Sequence, residues 1–364
     1  MLLIYGAYGY TGTLIVEECV RRGIRPIVAG RDPEALREIA TRYELEMRVA
    51  ALCAGRGGSD GQPGLTPPGS PPPVPHDDLR AMLAGVKVVL HCAGPFFRTS
   101  APMVQACLET GAHYLDITGE IAVFEACRQQ HPAARQRHVV ILPGVGFDVV
   151  PTDCLAAQLA ARLPGASLLE LAFAGGGGFS RGTLKTMLLG GGGGAIRQDG
   201  RIVPVPRAWR TREIPFRDRP RRAVTIPWGD VSTAHWSTKI PDIHTYIALP
   251  AGARAAMRAF PLLKPLLAAP ATRRLIERQI DARVHGPDKT TRETARMQVW
   301  GRVTHPDGRT VEDTLVTPEG YRFTAIAAVE SARRMLTNPP EPGYHTPATA
   351  FGAHFVDELA AIAR

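Results

Sequence analysis

At 364 residues the chain is long enough for two domains sharing a cleft, and with 45% apolar residues each can bury a core. Charged residues make up 21%, and no window holds the roughly 18 or more uninterrupted apolar residues of a membrane-spanning helix. The formal charge of +9 comes from scattered arginines, and the one basic cluster, residues 207 to 222, is broken by Pro215 and Pro220 without regularly interleaved aromatics. Nucleic-acid binding is therefore not expected, whereas a basic pocket for an anionic small molecule is.

The first apolar run, residues 2 to 6 (LLIYG), stops at Gly6 with neither a basic start nor a small-residue cleavage site, and is read as a strand rather than a signal peptide. Cys19, Cys53, Cys92, Cys107, Cys127 and Cys154 stand singly, with no paired or histidine-linked spacing. They are read as reduced thiols of a cytoplasmic protein without a metal site.

Further short apolar runs at 25 to 29, 46 to 51, 86 to 91, 113 to 116 and 138 to 142 suit buried parallel strands. Helical stretches alternate with them. Residues 10 to 22 carry Ile15 with Cys19 and Val16 with Val20 at i, i+4 spacing and stop at Gly23; residues 33 to 42 open with Asp32 as N-cap and Pro33 at the first helical position. This alternation predicts an α/β domain over 1 to 150 built on a doubly wound, Rossmann-type parallel sheet. Residues 55 to 75, of which 13 of 21 are Gly or Pro, cannot form a core; they predict a flexible surface insertion, because the strand pattern resumes beyond them.

After Pro151 longer extended runs appear at 167 to 174, 222 to 227, 243 to 249, 295 to 304 and 309 to 316, the last two alternating as antiparallel strands with one exposed face do. They predict a second, α+β domain over 151 to 336 for substrate or oligomer contact. Glycine runs at 175 to 178 and 190 to 194 flank a helix-like segment with Lys185 and read either as a mobile lid or as biased surface loop. The segment 259 to 270 (AFPLLKPLLAAP) borders an apolar ligand, forms an oligomer interface or is a core helix; Arg258 and Lys264 flank it, which leaves a peripheral membrane contact open. Helices are expected at 320 to 336 and 348 to 363.

The chemistry-bearing motifs stand at predicted strand ends. GAYGYTG, residues 6 to 12, follows the first strand and opens the first helix: Gly6 permits a tight turn, Gly9 a close approach of backbone to pyrophosphate, and Gly12 close helix packing, while helix N-terminal amides bind the anion. VAGRD, residues 28 to 32, ends the second strand, where a carboxylate generally takes the ribose hydroxyls of NAD; Arg31 there can instead fork onto a 2′-phosphate, with Asp32 keeping NAD as the alternative. HCAGPFF (91 to 97), HYLDITGE (113 to 120) and PGVGFDVVPTD (143 to 153) follow later strands.

Taken together, GAYGYTG, AGPF followed by a helix, GAHYLDITGE and PGVGFDVVPTDCLA resemble the saccharopine dehydrogenase-like NADP-binding oxidoreductases, including the trans-acting enoyl reductase branch. The likeness covers most of residues 1 to 160 and resumes weakly at YRFTAIAAVESARRML and HTPATAFGAHFVDEL. It implies NADP(H) as cofactor, with Gly6, Tyr8, Gly9, Tyr10, Thr11 and Gly12 as phosphate loop and Arg31 at the 2′-phosphate. It also implies Ala93, Gly94 and Pro95 bordering the nicotinamide half, Gly146, Phe147 and Asp148 beside the nicotinamide, and a last helix, within 346 to 364, packed back on the nucleotide domain. Tyr8, where threonine is usual, the Gly/Pro insertion and the divergent stretch 175 to 290 depart from the family pattern.

The expected activity is reduction of an activated double bond in a small molecule, C=C of an enoyl-type substrate before C=N of an imine. A non-catalytic nucleotide-binding protein is the alternative from another class. Tyr114, Asp116 and Asp148, with Glu120, are the strand-end candidates for proton transfer, each also able to serve as a cap or loop support. His91 and His235 read as packed residues. A homodimer remains open.

Overall fold

The computed structural model describes residues 1–52, 76–175, 193–258 and 286–362, together with residues 178, 180, 272, 276, 278–279 and 283–284. The Gly/Pro insertion at 55 to 75, most of the glycine-flanked segment around Lys185, the stretch 259 to 270 and Cys53 lie outside the described residues.

Strands β1 (Leu2–Tyr5), β2 (Ile27–Gly30), β3 (Met47–Val49), β4 (Val88–His91), β5 (His113–Asp116) and β6 (Val140–Leu142) form a parallel sheet in the order β3-β2-β1-β4-β5-β6. Helices α1 (Tyr10–Arg21), α2 (Pro33–Tyr43), α3 (His76–Met82), α4 (Phe96–Thr110), α5 (Ile121–Gln129) and α6 (His131–Gln136) connect them. Alternate residues of each strand feed opposite faces, as the two-residue period of a sheet requires. Leu3, Val89, Tyr114 and Ile141 pack with Met103, Cys107 and Val123 of α4 and α5, while Leu2, Ile4, Val88, Leu115 and Val140 pack with Ile15, Val16 and Cys19 of α1. This is the doubly wound Rossmann sheet the alternation predicts, with both faces covered.

After α7 (Val150–Arg162) come β7 (Leu168–Gly175), β8 (Gly194–Gln198), β9 (Arg201–Val205), β10 (Thr211–Pro215), β11 (Pro220–Thr225), α8 (Asp230–Thr238), β12 (Asp242–Ala248), α9 (Lys289–Thr294), β13 (Arg296–Thr304) and β14 (Thr310–Pro318). They build a second, mixed sheet in the order β10-β11-β12-β7-β13-β14, with β8 and β9 alongside β12. β13 and β14 are antiparallel as expected, but β12 and β7 run parallel, with β8 to β11 and α8 lying between them in the chain. The expected strand list omitted β8, β9 and β10. The β8–β9 hairpin turns at Asp199-Gly200, both at positive φ (50° and 73°), the backbone demanded by a tight two-residue hairpin and a Asp-Gly signal legible in QDGR.

The chain then returns. α10 (Gly320–Thr337) inserts Ala325, Ala328, Val329, Ala332 and Met335 into the core beside α1, and β15 (Gly343–Tyr344) extends the parallel sheet next to β6. The segment 346 to 364, expected to pack back on the nucleotide domain, places Ala350 and Phe351 against that domain's core, alongside the larger contact made by α10 and β15. The final segment is split by Gly352 (φ +90°) into α11 (Pro347–Phe351) and α12 (Phe355–Ile362). Phe355, Val356 and Leu359 of α12 join Leu155, Leu159 and Val303 in the second domain's core. No helix among the described residues is long and apolar enough to cross a membrane.

Candidate active site

Five strand-to-helix loops meet along the carboxyl edge of the parallel sheet. Gly6 adopts φ +83° and sits so close to the end of β4 that a Cβ there would lie 2.9 Å from Ala93; a Cβ on Gly12 would meet the Gly6 oxygen at 2.2 Å. Both positions therefore demand glycine. Gly9 is the N-cap of α1, no side chain caps that helix, and the first turn holds no acidic residue, so no carboxylate there competes with an anion for its amides. Tyr10 turns away from the loop: its hydroxyl donates to the Pro287 carbonyl at 2.6 Å and accepts from Arg292 at 3.1 Å, and its ring meets Tyr321 edge-on at 5.0 Å. Thr11, beside it, is half-buried.

Arg31 follows β2, is exposed, and makes no hydrogen bond or ion pair with any described residue. Asp32 caps α2, accepting from the amides of Glu34 (3.0 Å) and Ala35 (3.2 Å). The carboxylate that kept NAD as an alternative is therefore committed to a helix terminus. An uncapped glycine-rich helix start, free of acidic groups and flanked by an unpaired guanidinium, fits a phosphorylated dinucleotide.

On the other side of β1, Gly94 is exposed and Ala93 and Pro95 half-buried, as a surface for a flat ligand requires. Glu120 does not face that surface: its two oxygens accept from the amides of Phe96 (2.9 Å) and Phe97 (2.8 Å), capping α4. Tyr114 and Asp116 are fully buried. The Tyr114 hydroxyl donates to Asp116 at 2.7 Å, and the other Asp116 oxygen accepts from the amides of Thr118 (3.0 Å) and Gly144 (2.8 Å). Burial raises Asp116 to about 6 against those hydrogen bonds. The pair ties the β5 and β6 loops together, and both side chains, expected as proton-transfer candidates, are fully buried. His91 is likewise buried against Thr99 (2.9 Å), its pKa driven down to about 3 by desolvation.

Asp148 differs. Its partly buried carboxylate lies over Gly119, where a Cβ would stand 2.8 Å from Oδ2, so the β5 loop is hollowed to receive it. No described cation or hydrogen-bond donor engages its side chain, and burial alone raises it to about 7. Its backbone is held from the second domain, Trp228 Nε1 donating to its carbonyl at 2.7 Å. Trp228 in turn stands 4.8 Å from the Phe173 ring. The ring of the neighbouring Phe147, expected beside a nicotinamide, is buried between Phe173 and Phe323, at 6.0 and 6.1 Å. Its amide donates to Thr324 Oγ1 at 3.0 Å, and a Cβ on Gly146 would meet that threonine's methyl at 2.9 Å.

Trp228 and Thr324 were not singled out from sequence. They lie 80 and 177 residues beyond their partners, and no local pattern links them.

Residues 74–142, from the edge of the insertion through β6, match the family model described as Saccharopine dehydrogenase NADP binding domain. A human saccharopine dehydrogenase-like oxidoreductase is 31% identical over 161 residues, 42% of this chain and 35% of the relative. A putative trans-acting enoyl reductase of Mycobacterium tuberculosis is 34% identical over 196 residues, 51% of this chain and 43% of the relative. The chain spans less than half the length of these curated relatives. Among solved structures, an apo saccharopine dehydrogenase (L-Glu forming) from Saccharomyces cerevisiae superposes with a TM-score of 0.59 at 12% identity, covering 98% of this chain and 95% of that one, a likeness of fold. Residues 74–142 are thus similar to the saccharopine dehydrogenase NADP binding domain, and the chain as a whole shares the fold of saccharopine dehydrogenase.

Proposed function

We propose that the protein is an NADP(H)-dependent reductase that saturates an activated C=C bond of an enoyl-type small molecule. The observation that carries the reading is Asp148, a carboxyl without a hydrogen-bond donor among the described residues, raised to about 7 where the loop after β5 and the second domain meet. Reduced nicotinamide, when bound, supplies a hydride, that is, two electrons and one proton's worth of hydrogen, to the β-carbon. The α-carbon then carries the displaced electron pair and needs a proton, and an acid whose pKa lies near neutrality gives one up most efficiently. Asp148 is that acid, and Trp228 holds its main chain at the domain junction.

Gly6, Gly9, Gly12 and the bare start of α1 hold the pyrophosphate; Arg31 takes the 2′-phosphate; Ala93, Gly94 and Pro95 border the nicotinamide half. The enoyl substrate is preferred over an imine because the relative aligned over the longer span is named an enoyl reductase. The five described cysteines are free thiols, which supports a reducing compartment. The test is oxidation of NADPH by the purified chain with a panel of α,β-unsaturated thioesters and, separately, of 2-oxo acids with amines. Turnover of the thioesters alone is expected. Turnover of the oxo-acid and amine mixtures alone would transfer the assignment to C=N chemistry, and turnover of neither panel would refute the reductase reading.

A further inference from the structure

The loop residue that departs from the family pattern has a structural consequence at the end of β2. Tyr8 is half-buried and leans across from the phosphate loop onto Gly30, the last residue of that strand; a Cβ on Gly30 would stand 2.5 Å from Tyr8 Cε1. Even alanine at 30 would have to displace the ring. The hydroxyl of Tyr8 makes no hydrogen bond with a described residue, so no described residue uses the polar end of this side chain. The loop after β1 and the end of β2 are the two elements between which a dinucleotide-binding domain holds its adenosine ribose. Here the strand end that elsewhere carries a ribose-binding carboxylate is a glycine covered by an aromatic ring, the next residue is the unpaired Arg31, and the following Asp32 is consumed as a helix cap.

We propose, resting on the nucleotide-site reading above, that Tyr8 is the aromatic floor of the adenosine site, on which the adenosine of a 2′-phosphorylated nucleotide rests while Arg31 takes the phosphate. Two separate contributions follow. Tyr8 contacts the part that all adenosine nucleotides share, through its π face and planar apolar area. Arg31 contacts only the part that NADP(H) adds. Gly30 is the device that admits the ring, since no other residue leaves room for it.

The experiment measures dissociation constants of adenosine 2′,5′-bisphosphate and of AMP by calorimetry for the full chain and for Tyr8→Ala, Tyr8→Leu, Tyr8→Phe and Arg31→Ala. Base–aromatic contacts contribute about 1–3 kcal/mol, so Tyr8→Ala and Tyr8→Leu are expected to weaken both ligands by roughly fivefold to 150-fold. Tyr8→Phe, which keeps the ring, should stay within about threefold of the parent for both, because the floor is the ring rather than the hydroxyl. Arg31→Ala should weaken the bisphosphate and leave AMP unchanged. Tyr8→Leu retains apolar packing on Gly30, so it tests the floor even if the alanine variant unfolds. Parent-like affinity of Tyr8→Leu for both ligands would overturn the proposal. Failure of the parent chain to bind either nucleotide would instead overturn the nucleotide-site reading itself.

Discussion

The indole of Trp228 donates to the main-chain carbonyl of Asp148 at 2.7 Å, so a residue of the second domain fixes the backbone that carries the proposed acid. Asp148 opens the segment leading into α7, and its carboxyl is raised to about 7 by burial without a compensating donor. Its protonated form is thus the one the fold favours, and that contribution to stability is complete below about pH 4 and is lost as pH rises through 7. Asp148→Asn, which mimics the neutral form, should raise the melting temperature above pH 7 and leave it unchanged near pH 4. The same variant should lose at least 100-fold in kcat with NADPH affinity retained, in line with the usual contribution of a general acid of roughly 10²–10⁴-fold. In the parent protein kcat should fall as pH rises through 7. A flat profile, or an Asn variant that turns over normally, would remove Asp148 from the chemistry.

Trp228 is a positioning residue in this scheme, acting through Asp148. Replacing it with Phe keeps a ring beside Phe173 but removes the only donor to the Asp148 carbonyl among the described residues. The lost hydrogen bond should lower kcat by about tenfold, the equivalent of roughly 1.4 kcal/mol, with little change in KM for NADPH. Trp228→Ala also admits water, which returns the carboxyl toward its ordinary value. The fall in kcat should then begin at lower pH than in the parent. An unshifted pH profile in Trp228→Ala would show that the indole only fills space.

A second long-range tie holds the returning C-terminal segment to α7 and α8. Asp153 on α7, fully buried, accepts from the Ala348 amide at 2.8 Å and from Ser237 Oγ on α8 at 2.7 Å. Its removal leaves a buried amide without a partner, a loss of about 1–3 kcal/mol for each such group. Asp153→Ala should therefore lower the unfolding free energy in denaturant titrations by several kcal/mol, and Asp153→Asn, which keeps one carbonyl acceptor, by about half as much. Nucleotide affinity should not change in either. An alanine variant as stable as the parent would show that the tie is replaced by water.

The nucleotide half was legible because its signals are local. Gly6, Gly9 and Gly12 are set by the turn they make, Asp32 and Pro33 by the helix they start, and strand residues such as Val88 to Leu90 by burial on both faces. The second domain was legible only where one face is apolar, as in β13; β9 and β10 carry arginine, proline and glutamate on edge positions and gave no periodic signal. At the site the same divide holds. Tyr114 and Asp116 look like catalytic residues in sequence because they stand at a strand end, but whether a strand-end side chain faces the cleft or the next loop depends on its partners, here Thr118 and Gly144. Asp148 has the same sequence credentials, and only the hollow at Gly119 and the missing donor distinguish it.

The last prediction concerns which dinucleotide the site takes. Arg31 is exposed and unpaired among the described residues at the end of β2, and Asp32, the nearest carboxylate, is held by the amides of Glu34 and Ala35. A guanidinium is planar, permanently charged and able to fork onto a phosphate, so NADPH gains a charge-assisted pair that NADH cannot offer. Such bonds contribute about 1.5–3 kcal/mol, which corresponds to roughly 10-fold to 150-fold preference for NADPH. Since Asp32 is turned into the helix start, its charge opposes the 2′-phosphate only weakly, and screening by salt reduces that opposition further. Arg31→Ala should raise the dissociation constant for NADPH at least tenfold and leave that for NADH nearly unchanged, and the preference of the parent should shrink as ionic strength rises. Equal losses for both dinucleotides would mean that Arg31 supports the loop rather than reading the phosphate, and a parent protein that prefers NADH would overturn the assignment.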